Sequence, residues 1–138
     1  MNTPVTIKSL DHLVLTVRSI PDTVAFYTTH LGMKHEVFTS PLSPTVSRHA
    51  LLFGSQKINL HESGREFEPK AENVQPGSGD LCFLSDQSVE RVLEYFNSTN
   101  IEVLEGGKVV ERTGARGKIR SVYVRDPDGN LIEVSNYV

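Results

Sequence analysis

Cysteine is nearly missing from this chain: Cys82 is the single one in 138 residues. No disulfide can close within the molecule, and a reducing, cytoplasmic setting is expected. Long apolar runs are missing too. Nothing approaches the roughly 20 consecutive apolar residues that a membrane-spanning helix needs, and the opening Met1-Asn2-Thr3-Pro4 has no signal-peptide core. A membrane is therefore not an expected partner. Excess positive charge is also lacking. A formal net charge of -3 and a pI of about 5.9 argue against nucleic acid as a partner. What is present is a composition 38% hydrophobic and 22% charged, enough to bury a core. The length suits one domain, or two small modules sharing a core.

Apolar periodicity then orders the chain. Leu10 to Val17 alternates, with Leu13, Leu15 and Val17 on one face and His12, Val14 and Thr16 on the other, as a strand requires. Ser19 is placed to cap a helix over Pro21–His30, which Gly32 ends. Met33–Phe38 reads as a second strand and Thr39–Ser47, with two prolines, as a loop. His49–Phe53 and Lys57–His61 form a hairpin across Gly54-Ser55. Residues 62–79 are polar, with Pro69, Pro76 and several glycines, and read as a surface linker. Beyond it the order recurs: a strand at 80–84, a helix from Ser88 to Phe96, then strands at Ile101–Leu104, Ile119–Arg125 and Asn130–Val134.

Both halves thus read strand, helix, strand, strand, strand. A shift of 68 places His12 on Asp80 and Tyr27 on Tyr95, and a shift of 74 places Asn59 on Glu133. The expected class is α+β: two paired βαβββ modules, about 8–61 and 80–138, forming a curled eight-stranded mixed sheet around a cavity.

Four side chains fall on the face turned to that cavity. His12 and His61 each suit either a hydrogen-bonded structural role or a ligand role. Glu133, between Ile132 and Val134, is costly to bury unless paired or metal-bound, and otherwise marks an exposed edge. Asp80 is a strand-opening residue or a ligand. Together they are a donor set for Zn, Mn, Fe or Ni. Cys82 reads as a small apolar residue rather than a nucleophile. Arg112 to Arg120 reads as a solvated loop or an anion-gripping flap.

Three segments carry a resemblance: Asp11-His12-Leu13-Val14-Leu15-Thr16-Val17, Phe26-Tyr27 through Leu31-Gly32-Met33, and Arg125-Asp126-Pro127-Asp128-Gly129-Asn130-Leu131-Ile132-Glu133. The chain resembles the vicinal oxygen chelate superfamily of glyoxalases, extradiol dioxygenases, fosfomycin-modifying enzymes and bleomycin-resistance proteins. Gln56 to His61 and Arg112 to Ala115 are similar to the glyoxalase domain-containing protein 5 group. The resemblance implies a divalent metal held from strands one, five, eight and often four: His12, His61 and Glu133, with Asp80 a further candidate. The family most often has histidine where Asp80 stands, which sets this chain apart from the extradiol iron pattern. Ser121, Tyr123 and Asn59 would contact a small-molecule substrate, and Glu133 would move a proton. The implied protein is a homodimeric metal-dependent lyase, isomerase or dioxygenase. The rival is a metal-free binding module of the bleomycin-resistance type.

Overall fold

Serine caps open both α-helices, and a left-handed glycine ends the first, in the computed structural model, which describes residues 4–138. Met1, Asn2 and Thr3, part of the stretch read above for a signal core, lie outside the described residues. The chain divides into two units, Met1–Val74 and Gln75–Val138.

The first unit holds β1 (His12–Val17), α1 (Ile20–Leu31), β2 (Lys34–Ser40), β3 (Ser43–Phe53) and β4 (Gln56–Glu62). Its mixed sheet runs β1-β4-β3-β2, with β1 and β4 parallel. The Ser19 hydroxyl accepts from the Asp22 amide at 3.2 Å, and Gly32, at φ 66°, takes the left-handed turn that ends α1. Leu15, Val17, Leu51, Ile58, Leu60 and Tyr27 are buried. Each such side chain contributes about 1.5–3 kcal/mol of apolar burial.

The second unit repeats this order with β5 (Asp80–Leu84), α2 (Val89–Ser98), β6 (Val110–Gly114), β7 (Gly117–Arg125) and β8 (Leu131–Tyr137). Its sheet runs β5-β8-β7-β6, with β5 and β8 parallel. Ser88 caps α2 through the Arg91 amide at 3.3 Å, and Val89, Phe96, Val122, Val124, Ile132 and Val134 are buried. The eight strands therefore lie in two four-stranded sheets, one in each unit.

Two readings of the sequence are corrected. Thr39–Ser47 is not a loop: β2 runs to Ser40 and β3 starts at Ser43, across a two-residue connection at Pro41-Leu42. Pro44 is tolerated because β3 pairs with β4 only from His49 onward, so its missing N–H faces an unpaired edge. Ile101–Leu104 is not a strand. Asn100, Glu105, Gly106 and Gly107 all have positive φ, which breaks the extended path, and the sixth strand forms instead at Val110–Gly114. The polar stretch at 62–79 is mostly exposed and touches the first sheet near its start. The Ser63 amide donates to the Val17 carbonyl at 2.8 Å, and Phe67 packs against Arg48 and His61.

The turn before β8 positions the functional face of the second unit. Asp126 accepts from the Asp128 and Asn130 amides, each at 2.9 Å, and from Asn130 Nδ2 at 2.8 Å. The Asn130 side-chain oxygen in turn accepts from the Gly79 amide at 2.7 Å, which aligns the start of β5 beside β8. No side chain fits at Gly77: its φ is +86°, and an added Cβ would stand 2.7 Å from the Asp128 carbonyl oxygen.

Candidate functional site

Alternation along β5, β7 and β8 turns Asp80, Cys82, Ser121, Tyr123, Glu133 and Ser135 to the face away from α2. Register then sets them in rows. Glu133 lies opposite Cys82 on one side and Tyr123 on the other, and Ser135 lies opposite Ser121. Ser121 Oγ donates to Glu133 Oε2 at 2.5 Å. Ser121 and Ser135 hydroxyl oxygens are 2.7 Å apart, and Cys82 Sγ is 3.3 Å from Ser135 Oγ. Each group has one proton to give, and that of Ser121 goes to the carboxylate. The order is therefore Cys82 to Ser135 to Ser121 to Glu133. Such a chain fixes the carboxylate's orientation.

Two neighbours of Glu133 stay protonated. Burial raises the Cys82 thiol pKa, the serine hydrogen bond opposes this, and the Glu133 charge adds to the rise. Cys82 is thus an uncharged donor and a poor nucleophile. Burial also raises the Tyr123 phenol, with Glu133 adding to the rise, while Arg112, its guanidinium 5.4 Å from the ring centroid, pulls the other way. Tyr123 is a hydrogen-bond donor at neutral pH.

In the first unit His12 is half-exposed and bonded through Nδ1 to Asp11 at 2.8 Å. His61 is buried, 8% exposed. The structure does not bring these two histidines together. His12 pairs with Lys57 and His61 with Thr16, so they are four residues apart along two parallel strands. That is about 13 Å of strand, and side chains standing perpendicular to a sheet do not converge over it. The residue two positions from His12 in register is Asn59.

The repeat shows the same offset. His12 precedes the row of Asn59 by two, as Asp80 precedes the row of Glu133 by two. His61 accordingly corresponds to Ser135, not to a carboxylate position. Among the described residues no three His, Cys, Asp or Glu side chains gather into a set that could hold a metal ion.

Sequence reasoning missed Ser135, Arg48 and Phe67. Ser135 was accessible from strand alternation beyond Glu133; Arg48 was hidden by reading the adjacent residues as a loop. His35 and His49 stack with Nε2 to Nδ1 at 2.8 Å.

Burial lowers the His61 pKa from its ordinary 6.5, with Arg48 lowering it further; Glu66 opposes and Lys70 adds. As pH falls through 6.5 the unfolded chain takes the proton first, so stability drops. His61→Asn should lose less stability than the parent between about pH 7 and pH 5, measured by urea unfolding at each pH.

Residues 9–134 match the family profile of the Glyoxalase/Bleomycin resistance protein/Dioxygenase superfamily. The chain is 49% identical over 132 residues to Virulence protein STM3117 of Salmonella typhimurium, covering 96% of this chain and 86% of that protein. It is 51% identical over 131 residues to Glyoxalase domain-containing protein RDO1 of Mycosarcoma maydis, covering 95% and 69%. A solved structure from the mobile metagenome of V. Pseudocholerae matches at 52% identity and a TM-score of 0.88, covering 99% of each chain.

Proposed function

Because the chain belongs to the Glyoxalase/Bleomycin resistance protein/Dioxygenase superfamily, we propose that it is an enzyme acting on a small oxygen-rich molecule. In this reading the Glu133 carboxylate moves a proton at a carbon beside a carbonyl. The observation that supports it most is the Ser121 hydroxyl held 2.5 Å from Glu133, with the protonated Tyr123 phenol alongside.

The chemistry follows from those groups. Glu133 takes the proton from the substrate carbon, and the electron pair of the broken C–H bond passes to the carbonyl oxygen as an enolate. The Tyr123 phenol donates to that oxygen, where charge develops. Ser121 and Ser135 keep the carboxylate oriented through both transfers. In a hydroxyketone, the proton returns to the former carbonyl carbon while the neighbouring hydroxyl passes its own proton to the enolate oxygen, which completes an isomerisation; departure of a leaving group with its bonding pair from the carbon next to the enolate makes a lyase.

The resemblance implies a divalent ion, Zn, Mn, Fe or Ni, with His12, His61 and Glu133 as its ligands and Asp80 a further candidate; the register of β1 with β4 favours Asp80 over His61. Such an ion would supply a Lewis acid. The likeness to the glyoxalase domain-containing protein 5 group rests on the sequence segments alone. A cytoplasmic homodimer is the proposed form, from the single cysteine and the resemblance.

The test is hydrogen exchange in D2O, followed by NMR, across small hydroxyketones and dicarbonyl adducts. Metal-stripped protein and protein supplemented with each ion are compared. Exchange at the carbon beside the carbonyl, dependent on Glu133, is the expected result. Saturable binding with no exchange under any metal loading would replace the enzyme with a sequestering module.

A further inference from the structure

Three fully buried polar atoms on the sheet of the first unit have no hydrogen-bond partner: Arg48 Nε, Asn59 Oδ1 and His61 Nδ1. They are not scattered. Asn59 and His61 are two residues apart on one face of β4, and Arg48 lies one step beyond the His49–Leu60 pair, beside His61. Phe67 joins two of them from the segment after β4. Its ring carries the Arg48 guanidinium at 3.8 Å and meets the His61 ring edge-on at 5.4 Å. Opposite Asn59 stands Ala50, which offers it no polar side chain.

Charge is uncompensated there as well. Among the described residues no carboxylate pairs with Arg48. The nearest acidic group acting on His61, Glu66, is engaged elsewhere, accepting from the Gly64 amide at 2.7 Å and pairing with Lys70 at 3.8 Å. Buried polar atoms are nearly always paired, so these three call for a partner, either water or a bound molecule.

The pattern of donors and acceptors says what that partner is. Arg48 Nε–H can only donate, and it suits a carboxylate oxygen. His61 Nδ1 donates to the second carboxylate oxygen in one neutral tautomer. Asn59 Oδ1 is an acceptor and asks for a hydroxyl. We propose that Arg48, His61 and Asn59 form a subsite for a small hydroxycarboxylate, the carboxylate on Arg48 and His61 and the hydroxyl on Asn59. Phe67 holds the guanidinium in its plane, so the fork is ordered before the ligand arrives. The subsite stands on first-unit geometry and does not rest on proton transfer at Glu133 or on a metal.

The experiment titrates glycolate, acetate and inorganic phosphate into protein stripped of metal on a chelating resin, followed by the side-chain Nε–H resonance of Arg48. Glycolate should move that resonance saturably, about tenfold tighter than acetate, which lacks the hydroxyl. Asn59→Ala should reduce glycolate to the affinity of acetate. Arg48→Lys, which keeps the charge but loses the Nε–H fork, should weaken both acids about tenfold or more. Arg48→Gln serves where the lysine variant does not fold, and amide spectra establish folding for each. No saturable shift with any acid would overturn the subsite and leave water as the partner of these atoms. So would glycolate and acetate binding equally, or affinity unchanged in the folded Arg48 variants. Preference for phosphate would overturn the hydroxycarboxylate assignment. None of these outcomes bears on exchange catalysed through Glu133.

Discussion

Asp126→Ala should destabilise the second unit by about 3–5 kcal/mol. Asp126 is 6% exposed and its carboxylate receives three donors, the amides of Asp128 and Asn130 and the Asn130 side chain. Removing it leaves those donors in a buried turn without acceptors, at about 1–3 kcal/mol each before the turn relaxes toward water. Asn130 is also the residue that holds the Gly79 amide, so β5 would lose its alignment against β8. Denaturant unfolding checks this: the midpoint should fall with the slope unchanged if the loss is one of stability alone. Asp126→Asn, which keeps one acceptor oxygen, should fall between the parent and the alanine variant. A midpoint for Asp126→Ala within error of the parent would show that the turn is held by something other than this carboxylate.

The second large effect is chemical. Glu133→Gln should lower the rate of exchange or turnover by about two to four orders of magnitude, the usual contribution of a positioned general base. The amide still offers Ser121 an oxygen to donate to, so the unfolding midpoint should stay close to that of the parent. Ser121→Ala should cost less, since the carboxylate remains as the base and loses only the hydroxyl that orients it. Tyr123→Phe removes the donor to the developing oxyanion, and should lower the maximal rate more than it weakens substrate binding. Comparing kcat with KM for the three variants separates a base, an orienting group and an oxyanion donor. A Glu133→Gln protein that keeps its rate would remove this carboxylate from the chemistry.

Local signals made most of the architecture legible. The alternation of Leu13, Leu15 and Val17 is a property of one strand, and it named the buried face correctly. Ser19 and Ser88 cap their helices through bonds that span three residues, which need nothing distant. The repeated element order, the Asp126–Asn130 turn and the shared face of Ser121, Tyr123 and Glu133 likewise follow from residues close in the chain. Where the sequence misled, the cause was also physical. Pro44 is a breaker only where its missing N–H would be needed, and whether a strand edge is free depends on how far its neighbour extends.

What alternation cannot determine is position along a partner strand. A period of two tells which face a side chain takes and nothing about which residue it meets. His12 and His61 therefore looked like members of one ligand set, although the parallel pairing of β1 with β4 separates them by four residues. That register depends on the crossover through α1, β2 and β3, a tertiary quantity. The contact of Phe67 with Arg48 and His61 is of the same kind, since it needs the chain after β4 to fold back on a sheet already formed. Sequence thus determined the elements, their order and their faces, because those are set by sterics and hydrogen bonds within a few residues. Register and long-range packing decided which polar groups share a neighbourhood, because only the assembled sheet brings distant positions of the chain side by side.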